Sequence, residues 1–336
     1  MVRNWTRRAA IGTGLLTGVA GGALWVWKKR RLADLKAGSE LVETDRGTVE
    51  VARRGSGPPV LVLHGDPGGY DQSRLFGEAL FGDDVEIIAP SRPGYLRTPL
   101  ADNKSPSEQA ALFVALLDEL DIEQTVVAGV SGGGPAALHL AAEYPDRVSG
   151  LILVSAVTIE IDERSFDIGN PLIDPILTST PVLDLRTGLF VLLRRFAPER
   201  LVTLDHRMMS TLEGDELAEY VEFVAATSDH RQQELEMISS LLPASARIEG
   251  TLNDQYWFRQ LPLADYKTIE CPVLVLHGEF DAAVPISHAE FVTERLSNAD
   301  LHRLEADHLI GVGPDADNAK QDVQAFIHSI ESPGEP

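Results

Sequence analysis

The sequence predicts an α/β protein with a mostly parallel central sheet flanked by helices, and three observations carry that prediction. Continuous apolar runs recur at Val60–Leu63, Val85–Ala89, Thr125–Val130, Gly150–Val157 and Pro272–Leu276. They lack polar alternation, so each reads as a strand buried on both faces, as strands are in parallel sheets covered by helices. Segments of helical period lie between them, and strands alternating with helices connect by right-handed crossovers. The alternation lapses only between about Ile159 and Lys267, and resumes after Cys271.

The first 36 residues are expected to lie outside this fold. Ala9 to Trp27 is a 19-residue stretch without a charged side chain, close to the length of a membrane-spanning helix. Arg7-Arg8 precedes it, Lys28-Lys29-Arg30-Arg31 follows it, and Trp25 and Trp27 stand at the boundary where aromatic anchors favour the interface. The expectation is a membrane anchor through residues 9–27. The alternatives are a twin-arginine export signal, since Thr6-Arg7-Arg8 precedes a weakly apolar glycine-rich core, and a buried helix. No small-residue cleavage site stands out beyond Gly21-Gly22-Ala23.

Residues 41–53 form two short alternating runs around Arg46-Gly47, a hairpin pattern. Ser105 to Leu120 repeats apolar residues at helical spacing, with Ser107 as its N-cap. The segment after Ile159 is rich in Leu, Glu, Arg and Met, with helical period at Leu212–Val224 and Gln232–Leu242 and no strand-like run. It reads as a helical insertion over 159–267, dividing a core of 37–158 and 268–336. A last helix is expected over Pro314–Ile330.

Composition bounds the function. The 336 residues are 44% hydrophobic and 24% charged, a globular balance with enough chain for a sizeable core. Eight basic groups crowd into residues 1–36 beside one acid, Asp34, and the remaining 300 carry 21 basic against 50 acidic groups. Such a surface repels phosphate backbones and argues against a nucleic-acid partner. Only six of the 29 basic residues are lysine, a surface that suits a salt-rich milieu as well as an ordinary acidic one. Cys271 is the single cysteine, so no intrachain disulfide forms, and its place at the head of an apolar run reads as a buried small hydrophobe.

Four segments carry chemistry. Gly129-Val130-Ser131-Gly132-Gly133 follows a strand and precedes the helix-like Pro135-Ala136-Ala137-Leu138-His139. A serine hydroxyl needs exposure beside a base and beside donors for a developing oxyanion, and small residues two before and two after it permit a sharp strand-to-helix turn. Leu63-His64-Gly65-Asp66-Pro67-Gly68-Gly69 ends another strand, and the amides of Asp66 and Gly132 are the candidate oxyanion donors. Asp281, in His277-Gly278-Glu279-Phe280-Asp281, sits just past a strand, where a carboxylate reaches the same sheet edge as Ser131. Of nine histidines, His308 alone follows the last strand, a short strand-like run near Asp300–Leu304, in a loop from which an imidazole can reach over Ser131. No H-E-x-x-H, paired C-x-x-C or calcium-loop pattern occurs, so neither metal nor cofactor is expected.

The order Ser, Asp, His, the G-x-S-x-G turn, the H-G-x-P-G loop and the H-G-x-x-D-x-x-V-P segment together resemble the α/β-hydrolase superfamily, over about residues 40–332. Ser91-Arg92-Pro93-Gly94-Tyr95 is similar to the family's loop after the fourth strand. The resemblance implies an α/β-hydrolase fold with a helical cap inserted after the sixth strand. It makes Ser131 the nucleophile, His308 the base and later acid, and Asp281 its orienter. Two residues depart from the common pattern, Asp66 and Asp307, both standing where glycine is usual.

The expected activity is cleavage of a carboxylic ester, lactone or amide through an acyl-enzyme on a small-molecule or short-peptide substrate. Serine at 131 argues against dehalogenase and epoxide hydrolase chemistry, which use aspartate there. Two alternatives stay open. One is a proline-iminopeptidase-like aminopeptidase, for which Glu234 or Glu236 would bind the substrate amine, and the other is a non-catalytic ligand-binding protein on the same fold.

Overall fold

The computed structural model describes residues 21–161 and 173–331. After a first helix, α1 (residues 21–37), come β1 (Glu40–Thr44), β2 (Gly47–Gly55), β3 (Pro59–Leu63), α2 (Tyr70–Leu80), β4 (Glu86–Pro90), α3 (Pro106–Glu119), β5 (Thr125–Val130), α4 (Gly134–Glu143) and β6 (Val148–Val154). Six helices follow: α5 (Asp174–Leu177), α6 (Thr180–Phe196), α7 (Pro198–Met209), α8 (Gly214–Ala226), α9 (Ser228–Ser240) and α10 (Ile248–Phe258). The chain then returns through β7 (Val273–Gly278), α11 (Ser287–Thr293), β8 (Ala299–Leu304) and α12 (Ala316–Glu331).

All eight strands join one sheet in the order β1-β2-β4-β3-β5-β6-β7-β8. The hairpin β1–β2 and the pair β2–β4 are antiparallel, and every later neighbour is parallel. Successive residues of a parallel strand point to opposite faces, and here both are apolar. Leu61, Leu63, Val127, Leu151 and Leu153 pack with α3, α4 and α11 on one face. Val60, Val62, Val126, Ile152 and Val154 pack with α1, α2 and α12 on the other. Two buried faces per strand account for the unbroken apolar runs. The helices between β6 and β7 hold a third cluster around Leu201, Val202, Tyr220, Val224 and Leu235, joined by Val312 from the segment before α12.

The N-terminal expectation is corrected. No helix among the described residues is long and apolar enough to cross a membrane. Residues 21–27 instead belong to α1, which continues through Lys28-Lys29-Arg30-Arg31 and docks on the core. Leu35 is buried at 4% exposure, Arg31 Nη2 lies 2.6 Å from Asp71 Oδ2, and Lys28 Nζ donates to Asp184 Oδ1 at 2.8 Å. Two ion pairs with the domain and a buried Leu35 lay this helix along the protein. The membrane partner through residues 9–27 is withdrawn with it. Arg7-Arg8 and the rest of that segment, up to residue 20, lie outside the described residues.

The cap of α3 also moves. Ser105, and not Ser107, caps the helix: its Oγ accepts from the Glu108 amide while the Glu108 carboxylate accepts from the Ser105 amide. Pro106 then occupies the first helical position, where no amide is needed. Ser107 bonds Glu143 of α4 instead, at 2.7 Å.

Candidate active site

The candidate residues gather at the carboxyl edge of the sheet, where the strands β3, β5, β7 and β8 end. Ser131 follows the last residue of β5 with φ of 48°, in the left-handed region that a non-glycine residue enters only under constraint. Its neighbours show why the turn is glycine-rich. A methyl on Gly129 would lie 2.7 Å from Ala137 Cβ, and one on Gly133 would collide with the Leu63 carbonyl oxygen. The Ser131 carbonyl is tied down by the Val157 amide at 2.9 Å.

Ser131 Oγ lies 3.0 Å from His308 Nε2, and His308 Nδ1 lies 2.8 Å from Asp281 Oδ2. The other carboxylate oxygen of Asp281 accepts the Ala283 and Val284 amides at 2.9 and 2.8 Å, which fixes the group. Asp281 therefore keeps a proton on Nδ1 and turns the bare Nε2 towards serine, an arrangement able to draw the hydroxyl proton. Burial disfavours the His308 imidazolium, but Asp281, Asp307 and Asp205 outweigh burial and raise its pKa. His277, also close to Asp281, serves the loop: its Nε2 donates to the Val284 carbonyl at 2.7 Å, and burial lowers its pKa.

The Asp66 and Gly132 amides, named from sequence as donors, are neighbours. A methyl at Gly132 would stand 3.2 Å from Asp66 N. His64 holds that loop from behind. It is fully buried, its Nδ1 contacts the Gly65 carbonyl at 2.7 Å, and its Nε2 accepts the Arg92 amide at 2.9 Å. Arg92, from the Ser91–Tyr95 segment, ion-pairs with Asp254 of α10 and donates to the His64 carbonyl at 2.8 Å.

Over Ser131 lies a cavity of about 190 Å³, roofed by Met209, Met237, Ile238, Leu241 and Phe258 from the helices between β6 and β7. Two carboxyl groups line it, Asp66 and Asp205. Burial and the nearby Asp254 push Asp66 up to about 7, and burial with Glu234 does the same for Asp205. Behind Asp205 the fully buried His206 holds Asp307 Oδ2 at 2.6 Å and faces Glu234 Oε2 at 3.4 Å. Burial disfavours its charge, yet Asp307 and Glu234 raise its pKa to about 10.

Sequence reasoning named Glu234 and Glu236 as amine ligands, and neither lines the cavity. Glu234 is buried against His206, and Glu236 accepts from Gln232. It missed Asp205 and His206, which sit in a helix with no motif around them. Cys271 is half-buried, and burial moves its thiol up to about 11. Among the described residues no cluster of metal-ligating side chains occurs.

Comparisons with known proteins show the family and the fold. The model of the alpha/beta hydrolase family matches residues 60–317. An uncharacterized hydrolase of Bacillus subtilis is 32% identical over 300 residues, covering 88% of this chain and all of that one. The 2-hydroxymuconate semialdehyde hydrolase of Pseudomonas putida is 28% identical, over 74% of this chain and 79% of its own. Among solved structures, an alpha/beta hydrolase fold protein from Nakamurella multipartita superimposes with a TM-score of 0.76 at 30% identity, over 88% of this chain and 100% of that chain.

Proposed function

Because the chain belongs to the alpha/beta hydrolase family, we propose that it is a serine hydrolase that cleaves a small carboxylic ester, lactone or amide through an acyl-enzyme on Ser131. The observation that carries this reading is the unbroken relay from Ser131 through His308 to Asp281, at 3.0 and 2.8 Å, beneath a roofed apolar cavity. Ser131 Oγ attacks the carbonyl carbon while His308 Nε2 takes its proton. The carbonyl oxygen becomes an oxyanion held by the Asp66 and Gly132 amides, and Asp281 stabilises the imidazolium. His308 returns the proton to the leaving group as the bond to it breaks. A water molecule, deprotonated by the same nitrogen, then adds to the acyl carbon and frees the acid and the serine.

The segment 159–267 acts as a cap in this reading, since its helices supply the roof. The cavity falls below the roughly 300–1,000 Å³ of sites for drug-sized ligands, which favours short acyl groups. The aminopeptidase reading loses Glu234 and Glu236 as amine ligands, and among the described residues of the inserted segment the acid that lines the cavity is Asp205.

The test is hydrolysis of p-nitrophenyl esters of increasing acyl length, with proline p-nitroanilide included, by wild type and Ser131→Ala. Short esters should turn over, and Ser131→Ala should lose about 10³-fold or more. A folded protein that turns over no member and whose Ser131 resists a fluorophosphonate probe would be a binding protein instead.

A further inference from the structure

The cavity is apolar apart from two carboxyl groups, the reacting residues and the Gln72 amide, whose Oε1 accepts from the Gly65 amide and whose Nε2 donates to the Pro67 carbonyl. No lysine or arginine lines it among the described residues. The two buried guanidiniums nearest to it are already engaged. Arg92 pairs with Asp254, and Arg247 pairs with Asp71 at 3.0 Å and donates to the Gly68 carbonyl. A carboxylate brought into this space would lose its water, meet no counter-charge among the described residues and face carboxyl groups on two walls.

Asp205 is the more telling of the two. It lies on α7 at 7% exposure, and within the described residues its carboxyl accepts no hydrogen bond. Buried polar groups are ordinarily satisfied, and one left open towards a cavity over a reactive serine marks where a ligand donor belongs. The charged groups around it are Glu234 from α9, His206 beside it on α7, and Asp307 and His308 after β8. His206 already serves Asp307 and Glu234, so its charge is shared among three acids. On the opposite wall Asp66 shares the single hydroxyl proton of Tyr95 with Asp254: Tyr95 Oη lies 2.9 Å from Asp66 Oδ1 and 2.6 Å from Asp254 Oδ2. Thr251 gives Asp66 a further side-chain hydrogen bond, so the wall short of donors is that of Asp205.

We propose that Asp205, with Asp66, sets the charge this site accepts: neutral and amine-bearing acyl compounds enter, and acyl chains ending in a carboxylate are turned away. The proposal rests on the serine-hydrolase reading and adds the substrate class to it. An ammonium brings the donors Asp205 lacks, a neutral chain fits the apolar roof, and a carboxylate satisfies neither wall.

Three p-nitrophenyl esters of similar length separate the cases: the hexanoate, the adipic acid half-ester and the aminohexanoate. About 1 M salt shrinks the Debye length to about 3 Å and removes steering by the acidic surface. At about pH 8, above the value near 7 of both carboxyls, kcat/KM for the adipate should be about tenfold or more below the hexanoate, with the aminohexanoate at or above it. Asp205→Asn should close the adipate gap to within about threefold. Equal hydrolysis of adipate and hexanoate by wild type, or an unchanged ratio in Asp205→Asn, overturns the proposal. Thermal shifts of Ser131→Ala with hexylamine and with hexanoate anion decide the preference without turnover. Stabilisation by the amine alone supports the proposal, and equal stabilisation by the anion overturns it. No turnover of any ester and no fluorophosphonate labelling, beside an intact amine preference, would sink the hydrolase reading alone.

Discussion

A single methyl group tests how tightly the Ser131 turn is packed. Gly133→Ala drives a Cβ into the Leu63 carbonyl oxygen, and backbone cannot yield as a side-chain tip can. The turn must shift, and a displacement of about 1 Å costs on the order of 10²-fold in rate. Esterase activity and fluorophosphonate labelling should fall together while circular dichroism stays native; full activity would show that the turn has slack. His308 makes a second prediction at this scale. It must be neutral to accept the serine proton, and its pKa is raised by the acids around it. The acid limb of kcat/KM should therefore titrate above 6.5, and a limb at or below 6.5 would show that the acids around His308 do not outweigh its burial. Ser131, Asp281 and His308 are legible in sequence because each follows a strand end and its spacing places it on one sheet edge. Asp205 and His206 are not. In Leu204-Asp205-His206-Arg207 nothing distinguishes a buried acid from a solvated one, and only packing decides.

Among the elements, α7 connects the inserted helices to the proposed catalytic loops. Its carboxyl end pairs with the Asp281 loop, where the Thr211 amide donates to the Phe280 carbonyl at 2.7 Å and the Ala282 amide to the Met209 carbonyl at 3.0 Å. One turn back, His206 holds Asp307, whose Oδ1 accepts the Leu309 amide at 3.0 Å and so shapes the segment carrying His308. Removing His206 leaves Asp307 and Glu234 buried without their shared cation. His206→Asn should destabilise by about 3–5 kcal/mol, whereas adding Asp307→Asn and Glu234→Gln should recover much of that loss. Urea denaturation of the single and triple variants reads both; a single variant as stable as wild type would show that the triad holds nothing. The strands β3 to β7 were legible because both faces are apolar, and α8 and α9 because Leu212–Val224 and Gln232–Leu242 repeat apolar residues at helical spacing. α6 was not, since Leu185 and Phe196, at 71% and 76% exposure, lie outside the buried face and blur the pattern. The prolines at 181 and 198, each at a helix start, were the available signal for α6 and α7.

For the whole molecule, charge and burial push stability the same way as pH rises, and salt tells them apart. The chain carries a net charge of −22, so deprotonation adds self-repulsion at the surface, which about 1 M salt screens almost completely. The interior contribution is different. His206 has a folded pKa near 10 against an unfolded value near 6.5, so the native state binds the extra proton between those limits. Its stabilisation is therefore complete below about 6.5 and is lost as pH climbs through 10. Asp66 and Asp205, raised to about 7, likewise favour the protonated native state and lose stability from about 4 to 7. His64, His277 and His288, lowered chiefly by burial, act in the opposite sense over the acid part of that range and offset the two acids there. The clear decline then belongs to the window from about 7 to 10. Melting temperatures across that window should fall both in low salt and in about 1 M salt, because a triad at zero exposure is hidden from mobile ions. In His206→Asn the high-salt decline should largely vanish. A wild-type curve that salt flattens entirely would assign the whole effect to the surface and leave His206 uncharged in the native protein.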